Sequence, residues 1–140
     1  MILFRPPLIE ISETGTAKGL GVFAIEGFLE GDVVELCPVV VFCAPYDSLP
    51  EALQRRIFNW TELARQEADV QALALGYGSM YNGANPANMR YEPDETGKFL
   101  RFITVRDVTP GEELTINYSG DGGPEWKDND WFDTKGIKPI

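Results

Sequence analysis

The chain has 140 residues, 44% of them apolar, enough for one packed core and for a single domain. Twelve Lys and Arg stand against 22 Asp and Glu, a net charge of −10 that repels nucleic-acid phosphates and favours a basic partner. Histidine is absent, which excludes Ser-His-Asp and Cys-His catalysis and every metal site built on imidazole. The cysteines, Cys37 and Cys43, lie in an apolar run without Cys-x-x-Cys spacing, so buried reduced thiols are expected rather than zinc ligands or a disulfide. The opening "MILFRPPLIEI" has no apolar stretch of signal-peptide length. The longest apolar run, Leu36 to Pro45, is too short to span a membrane, and the expectation is a soluble, cytoplasmic protein.

In chain order, "LIEI" (8–11), "GVFAI" (21–25) and "DVVELCPVVVF" (32–42) read as short strands punctuated by glycines, which predicts several small sheets. Ser48-Leu49-Pro50-Glu51 has capping-box spacing with proline in the first turn, a helix start after which Leu49, Leu53, Ile57 and Trp60 would line one buried face. Thr61 to Ala74 is ambiguous at first, with a strand expected over Val70 to Leu75. "MRYEP" and "FLRFITV" flank the turn "DETGK" and predict a hairpin, and "ELTINY" predicts a strand after the turn "TPGEE". The acidic tail over 120–140 carries Trp126, Trp131 and Phe132, aromatics that predict docking of part of it on the domain. No internal repeat is present.

Three distant segments carry chemistry: "KGLG" (18–21), "YNGANPAN" (81–88) and "GEELTINY" (111–118). In this order they resemble the SET domain, a family of S-adenosylmethionine-dependent protein-lysine methyltransferases, in its minimal viral and bacterial form. The resemblance covers about residues 8–126 of one 1–140 domain. It implies a mainly β, β-clip arrangement of small sheets with one or two short helices and a knot-like C-terminal segment threaded under a preceding loop. On that reading "GYGSMYNGANPANMRY" (76–91) is the loop that crosses the threaded chain, its asparagines satisfying backbone groups left unpaired at an irregular crossing.

The resemblance also implies roles for residues. The backbone of Lys18, Gly19, Leu20 and Gly21 would hold the methionine part of S-adenosylmethionine, with Asn82 and the backbone of Gly83 binding the adenine end and Trp126 stacking on the adenine. Gly83 stands at the family's motif histidine and Ala84 at its serine. Pro86 falls one position before the usual proline, and Asn88 matches the final asparagine. Tyr118 matches the catalytic tyrosine, while Tyr91, Ile116 and Tyr77, together with Tyr81, would line the lysine channel. The reaction implied is direct methyl transfer to a lysine ε-amine of a basic protein or peptide, yielding S-adenosylhomocysteine and needing no metal. A second class of function is a SET-like protein-binding module that has lost turnover along with the motif histidine and serine.

Overall fold

In the computed structural model, residues 8–64, 69–118 and 122–125 are described. Two antiparallel-based sheets form the domain. The first has the order β1-β2-β9-β6, where β1 is Ile9–Glu13, β2 Leu20–Ala24, β6 Asn82–Gly83 and β9 Glu113–Ile116. The second has the order β4-β5-β3-β8-β7, with β3 Val33–Cys43, β4 Phe58–Asn59, β5 Val70–Ala74, β7 Met89–Pro93 and β8 Phe99–Thr104. The helices are single turns, α1 at Glu51–Gln54 and α2 at Trp60–Leu63. The mainly β architecture agrees with the sequence reading.

Turn chemistry fixes the hairpins. Gly97 takes a positive φ of 71° and closes the Asp94–Lys98 turn, where Asp94 accepts from the Phe99 backbone N–H and from the Thr96 hydroxyl. The strand β3 spans eleven residues, as the run over 32–42 predicts with a shift of one position. Its first half pairs with β8 and its second half with β5, so one strand joins both wings of the sheet. A bulge between Val33 and Glu35 breaks the two-residue alternation. Glu35 therefore lies opposite Phe102 and points inward, where an unbroken register would turn it toward solvent beside exposed Val33.

The expected helical face is not formed. Ser48 does not cap α1; its hydroxyl donates to the Pro45 carbonyl and closes a separate 3-10 turn at Tyr46–Ser48. The helix stops at Gln54, and the chain then turns so that Phe58 and Asn59 pair with Ala72 and Gln71 of β5. Ile57, Phe58 and Trp60 are buried, but Leu49 and Leu53 are only half-buried. Strand pairing overrides the helical period because the segment lies against the edge of β5. Cys37 is buried as expected, and its thiol pKa is raised chiefly by burial and then by Glu35. Cys43 departs from expectation: it ends β3 as an exposed free thiol.

The core gathers the inward residues of both sheets, among them Val22, Leu114 and Ile116 from one and Cys37, Ala72, Leu100 and Phe102 from the other. Phe58 sits at its centre, with ring-centroid distances of 5.1 Å to Tyr91, 6.0 Å to Phe102 and 5.4 Å to Tyr118. We expect Phe58→Ala to cost about 3–5 kcal/mol of unfolding free energy, the range for emptying a buried aromatic site. Leu53→Ala should cost clearly less, and equal losses for the two in urea titration would restore the continuous helical face. Thiol labelling of the native protein should modify Cys43 rapidly and Cys37 only on unfolding.

Candidate active site

The three motif segments meet at β9. The turn Thr14–Gly19 ends with Gly19 at a φ of +75°, where its carbonyl accepts from the Thr14 N–H at 2.8 Å and the Thr14 hydroxyl at 2.7 Å. Leu20, 44% exposed, then opens β2. Gly21 needs its missing side chain, since a Cβ there would lie 2.5 Å from Glu113 Oε2 and 3.1 Å from Asn82 Nδ2. Asn82, buried, donates through Nδ2 to the Leu20 carbonyl at 2.9 Å and to Glu113 Oε2 at 2.8 Å. Its Oδ1 accepts from Arg56 Nη2 at 3.3 Å. One carboxamide thus links the glycine turn, the closing strand and the segment after α1.

The other edge of the motif is stitched in the same way. Asn88, buried, donates to the Glu113 carbonyl and accepts from the Thr115 N–H, both at 2.8 Å, while the Thr115 hydroxyl accepts from the Asn88 N–H. Between the two asparagines, β6 runs parallel to β9, with Asn82 opposite Thr115 and Gly83 opposite Ile116. The Ala84 N–H donates to the Ile116 carbonyl at 3.0 Å. The returning chain then lies alongside: the Tyr91 and Ala87 N–H groups donate to the carbonyls of Gly122 and Pro124.

Tyr118 lies two residues beyond the end of β9, which stops at Ile116, rather than inside the strand expected over "ELTINY". Its hydroxyl donates to the Tyr81 carbonyl at 2.9 Å. The side chain is buried, and burial pushes its pKa up to about 12 against the opposing pull of Arg56. Its ring stacks on Phe58, which in turn meets Tyr91 edge-on. The Tyr91 hydroxyl donates to the Asn117 carbonyl at 2.7 Å, so the hydroxyl points toward the closing segment. Ile116 is fully buried beside these rings in the same core cluster. Tyr77 packs half-buried against the core, and its backbone N–H donates to Glu35 Oε2 at 2.9 Å; among the described residues it makes none of the ring contacts that join Phe58, Tyr81, Tyr91, Phe102 and Tyr118.

Lys18 brings more than its backbone to this region. Its ammonium donates to the Gly83 carbonyl at 2.9 Å, joining the first two motifs across 65 residues of sequence. The backbone at both glycines has room for a ligand. Nothing lies within 4 Å of the position of a Gly19 Cβ, and one on Gly83 would meet only the Ile116 carbonyl and the Tyr118 ring, each at 3.9 Å. Such open backbone is what the amino acid and adenine ends of S-adenosylmethionine would need. Trp126 lies outside the described residues. No cluster of three metal-ligating side chains occurs among the described residues.

Several residues of the site carried no signal in the sequence. Arg56 donates from Nη1 to the carbonyls of Met80 and Tyr81 at 3.3 and 3.1 Å, besides its bond to Asn82. Glu35 accepts from the Tyr81 hydroxyl at 2.7 Å, and the Tyr81 phenol pKa is raised well above its ordinary value by burial and then by that carboxylate. Asn117 is buried, and neither of its side-chain polar atoms has a partner among the described residues. Phe58, between the expected face residues Ile57 and Trp60, likewise carried no signal of its own.

The SET domain family profile matches residues 19–119. A relative 31% identical over 140 residues, covering 98% of this chain and 88% of its own length, is a histone-lysine N-methyltransferase specific for H3 lysine 37 from Schizosaccharomyces pombe. Among solved structures, a Plasmodium falciparum protein assigned as a histone methyltransferase superposes with a TM-score of 0.63 at 24% identity, covering 82% of this chain and 95% of its own. A Chaetomium thermophilum Polycomb Repressive Complex 2 bound to S-adenosylmethionine gives 0.57 at 20% identity, over 86% of this chain and 16% of that one. The structural likenesses establish the shared fold, and the family match with the fission yeast relative establishes the chemistry. The chain belongs to the SET-domain family and is a protein-lysine methyltransferase that uses S-adenosylmethionine.

Proposed function

We propose that the chain methylates a lysine on a basic, histone-like protein segment and that Tyr118 is its catalytic residue. The observation that carries this reading is the Tyr118 hydroxyl held on the Tyr81 carbonyl at 2.9 Å, beside the convergence of Asn82, Gly83 and Arg56. The net charge of −10 supports a basic substrate over nucleic acid or an anionic membrane. The named substrate of the fission yeast relative supports a histone tail.

A lysine amine must be neutral to accept a methyl group. Its reference pKa near 10.4 leaves a deficit of about 4.6 kcal/mol at pH 7. Walls formed by Phe58, Tyr91, Ile116 and Tyr118, with Tyr77 toward the rim, would strip water from the ammonium and lower that pKa, so that the proton leaves to solvent. Tyr118 itself is no base: with its pKa near 12 it stays protonated at neutral pH. Its one proton is committed to the Tyr81 carbonyl, so toward the amine the oxygen would act as an acceptor that aligns it. S-adenosylmethionine, when bound, supplies the electrophilic methyl group. The backbone of Lys18 to Gly21, with Asn82 and Gly83, would hold it, Trp126 would cover the adenine, and no metal takes part.

We also infer that residues 115–118 pass beneath the 84–88 loop. The bonds from Ala84 to Ile116 and from Asn88 to Thr115, on the two arms of that loop, support the threaded crossing.

Tyr118→Phe should keep S-adenosylhomocysteine affinity while kcat for labelled-methyl transfer to core histones falls about a hundredfold or more, in the range of lost proton and alignment contacts. Unchanged kcat would remove Tyr118 from the mechanism. Tyr91→Phe frees space where its hydroxyl now meets the Asn117 carbonyl, and intact-mass analysis of the product should move toward higher methylation states; an unaltered product distribution would place Tyr91 outside the channel.

A further inference from the structure

Arg56 sits between α1 and β4 with a guanidinium that has no carboxylate partner among the described residues, in a chain that carries ten excess negative charges. A half-buried cation normally recruits an anion when so many are on offer. Here three neutral acceptors hold it instead: the Met80 carbonyl at 3.3 Å, the Tyr81 carbonyl at 3.1 Å and Asn82 Oδ1 at 3.3 Å. The Tyr81 carbonyl is the same atom that accepts the Tyr118 hydroxyl. The planar fork of arginine therefore fixes both the catalytic tyrosine's acceptor and the buried asparagine from one side chain.

No carboxylate bonds that fork among the described residues, and the two carboxylates on the residues it holds address other atoms. Glu113 bonds Asn82 Nδ2 on the far side of the carboxamide from Arg56, and Glu35 bonds the Tyr81 hydroxyl at the opposite end of that side chain from the carbonyl. Lys18, on the Gly83 carbonyl, adds a second cation to the same neighbourhood. The remaining titratable group facing Arg56 is the phenol of Tyr118, kept protonated by burial, with Arg56 opposing that burial.

We propose that Arg56 is a positioning residue of the methyl-transfer site, fixing the acceptor of the Tyr118 hydroxyl and supplying the positive charge that keeps the acceptor lysine amine unprotonated. This rests on the methyl-transfer reading of Tyr118. A fixed cation disfavours a second cation nearby, so the neutral amine is populated at lower pH than it would be beside a neutral residue. The same field opposes the sulfonium of S-adenosylmethionine but not the uncharged thioether of S-adenosylhomocysteine.

The test compares wild type with Arg56→Gln, which keeps an amide donor and removes the charge, and Arg56→Lys, which keeps the charge and loses the fork. Two quantities are read: the ratio of Kd values for S-adenosylmethionine and S-adenosylhomocysteine by calorimetry, and the acid limb of kcat/KM against pH with a histone substrate. Arg56→Gln should shift the ratio several-fold in favour of S-adenosylmethionine and move the acid limb up by about one pH unit. Arg56→Lys should leave both in place while kcat falls. An unmoved ratio and limb in Arg56→Gln overturn the proposal even if the variant melts earlier. Should Arg56→Gln fail to fold, Arg56→Lys decides, since a displaced limb in a variant that keeps the charge also overturns it. Absence of binding of either ligand to wild type would sink the methyl-transfer reading together with this one, whereas binding with equal ratios in every variant sinks only the role of Arg56.

Discussion

Two buried carboxamides hold together the segments of the candidate site. Asn82 and Asn88 flank β9, and between them they satisfy the Leu20 carbonyl, the Glu113 carboxylate, the Glu113 carbonyl and the Thr115 N–H. Each of those groups belongs to a segment distant from its asparagine in sequence. Buried backbone groups without partners cost about 1–3 kcal/mol each, so the strand, the glycine turn and the loop are stable only in one another's presence. A side-chain amide suits this position because it offers donor and acceptor at once, as a neighbouring strand would, in a crossing too irregular for a regular ladder.

Around that joint the protein arranges charge along one residue. Tyr81 meets Arg56 at its carbonyl and Glu35 at its hydroxyl, and neither ion contacts the other. Glu35 reaches the core only because of the bulge at Val34, and it is tolerated there because the Tyr81 hydroxyl and the Tyr77 N–H satisfy its oxygens. Cys37, two residues on along β3, lies against the same carboxylate. A buried polar set of this kind does little for stability compared with apolar residues of equal volume, but it fixes the orientation of the carbonyl on which Tyr118 depends.

A methyl transfer without histidine asks little proton chemistry of the protein. The requirements are a dry aromatic wall, one aligned hydroxyl and a local field that disfavours a charged amine. On the proposed reading Phe58, Tyr91 and Tyr118 would form the wall, with ring-centroid distances of 5.1 and 5.4 Å from Phe58 to the other two.

The sequence by itself determined the longer strands, the hairpin at Asp94–Lys98, the glycine turn and the family, because these rest on local turn chemistry and on short motifs whose residue order survives without knowledge of contacts, but not the two-residue strands β4 and β6. It grouped Gly19, Asn82 and Tyr118, and the fold sets β2, entered from Gly19, and β6, which begins at Asn82, on the two edges of β9, with Tyr118 two residues past its end. It misread 48–60, where a helical period in Leu49, Leu53, Ile57 and Trp60 yields to pairing of Phe58 with Ala72, a partner 14 residues away that no window reveals. Only the tertiary structure decided that Arg56 and Glu35 flank Tyr81 and that Lys18 reaches Gly83. Such contacts are set by where a bulge or a sheet edge aims a side chain in space, and charged residues with no local periodicity leave no trace of that direction in the order of the chain.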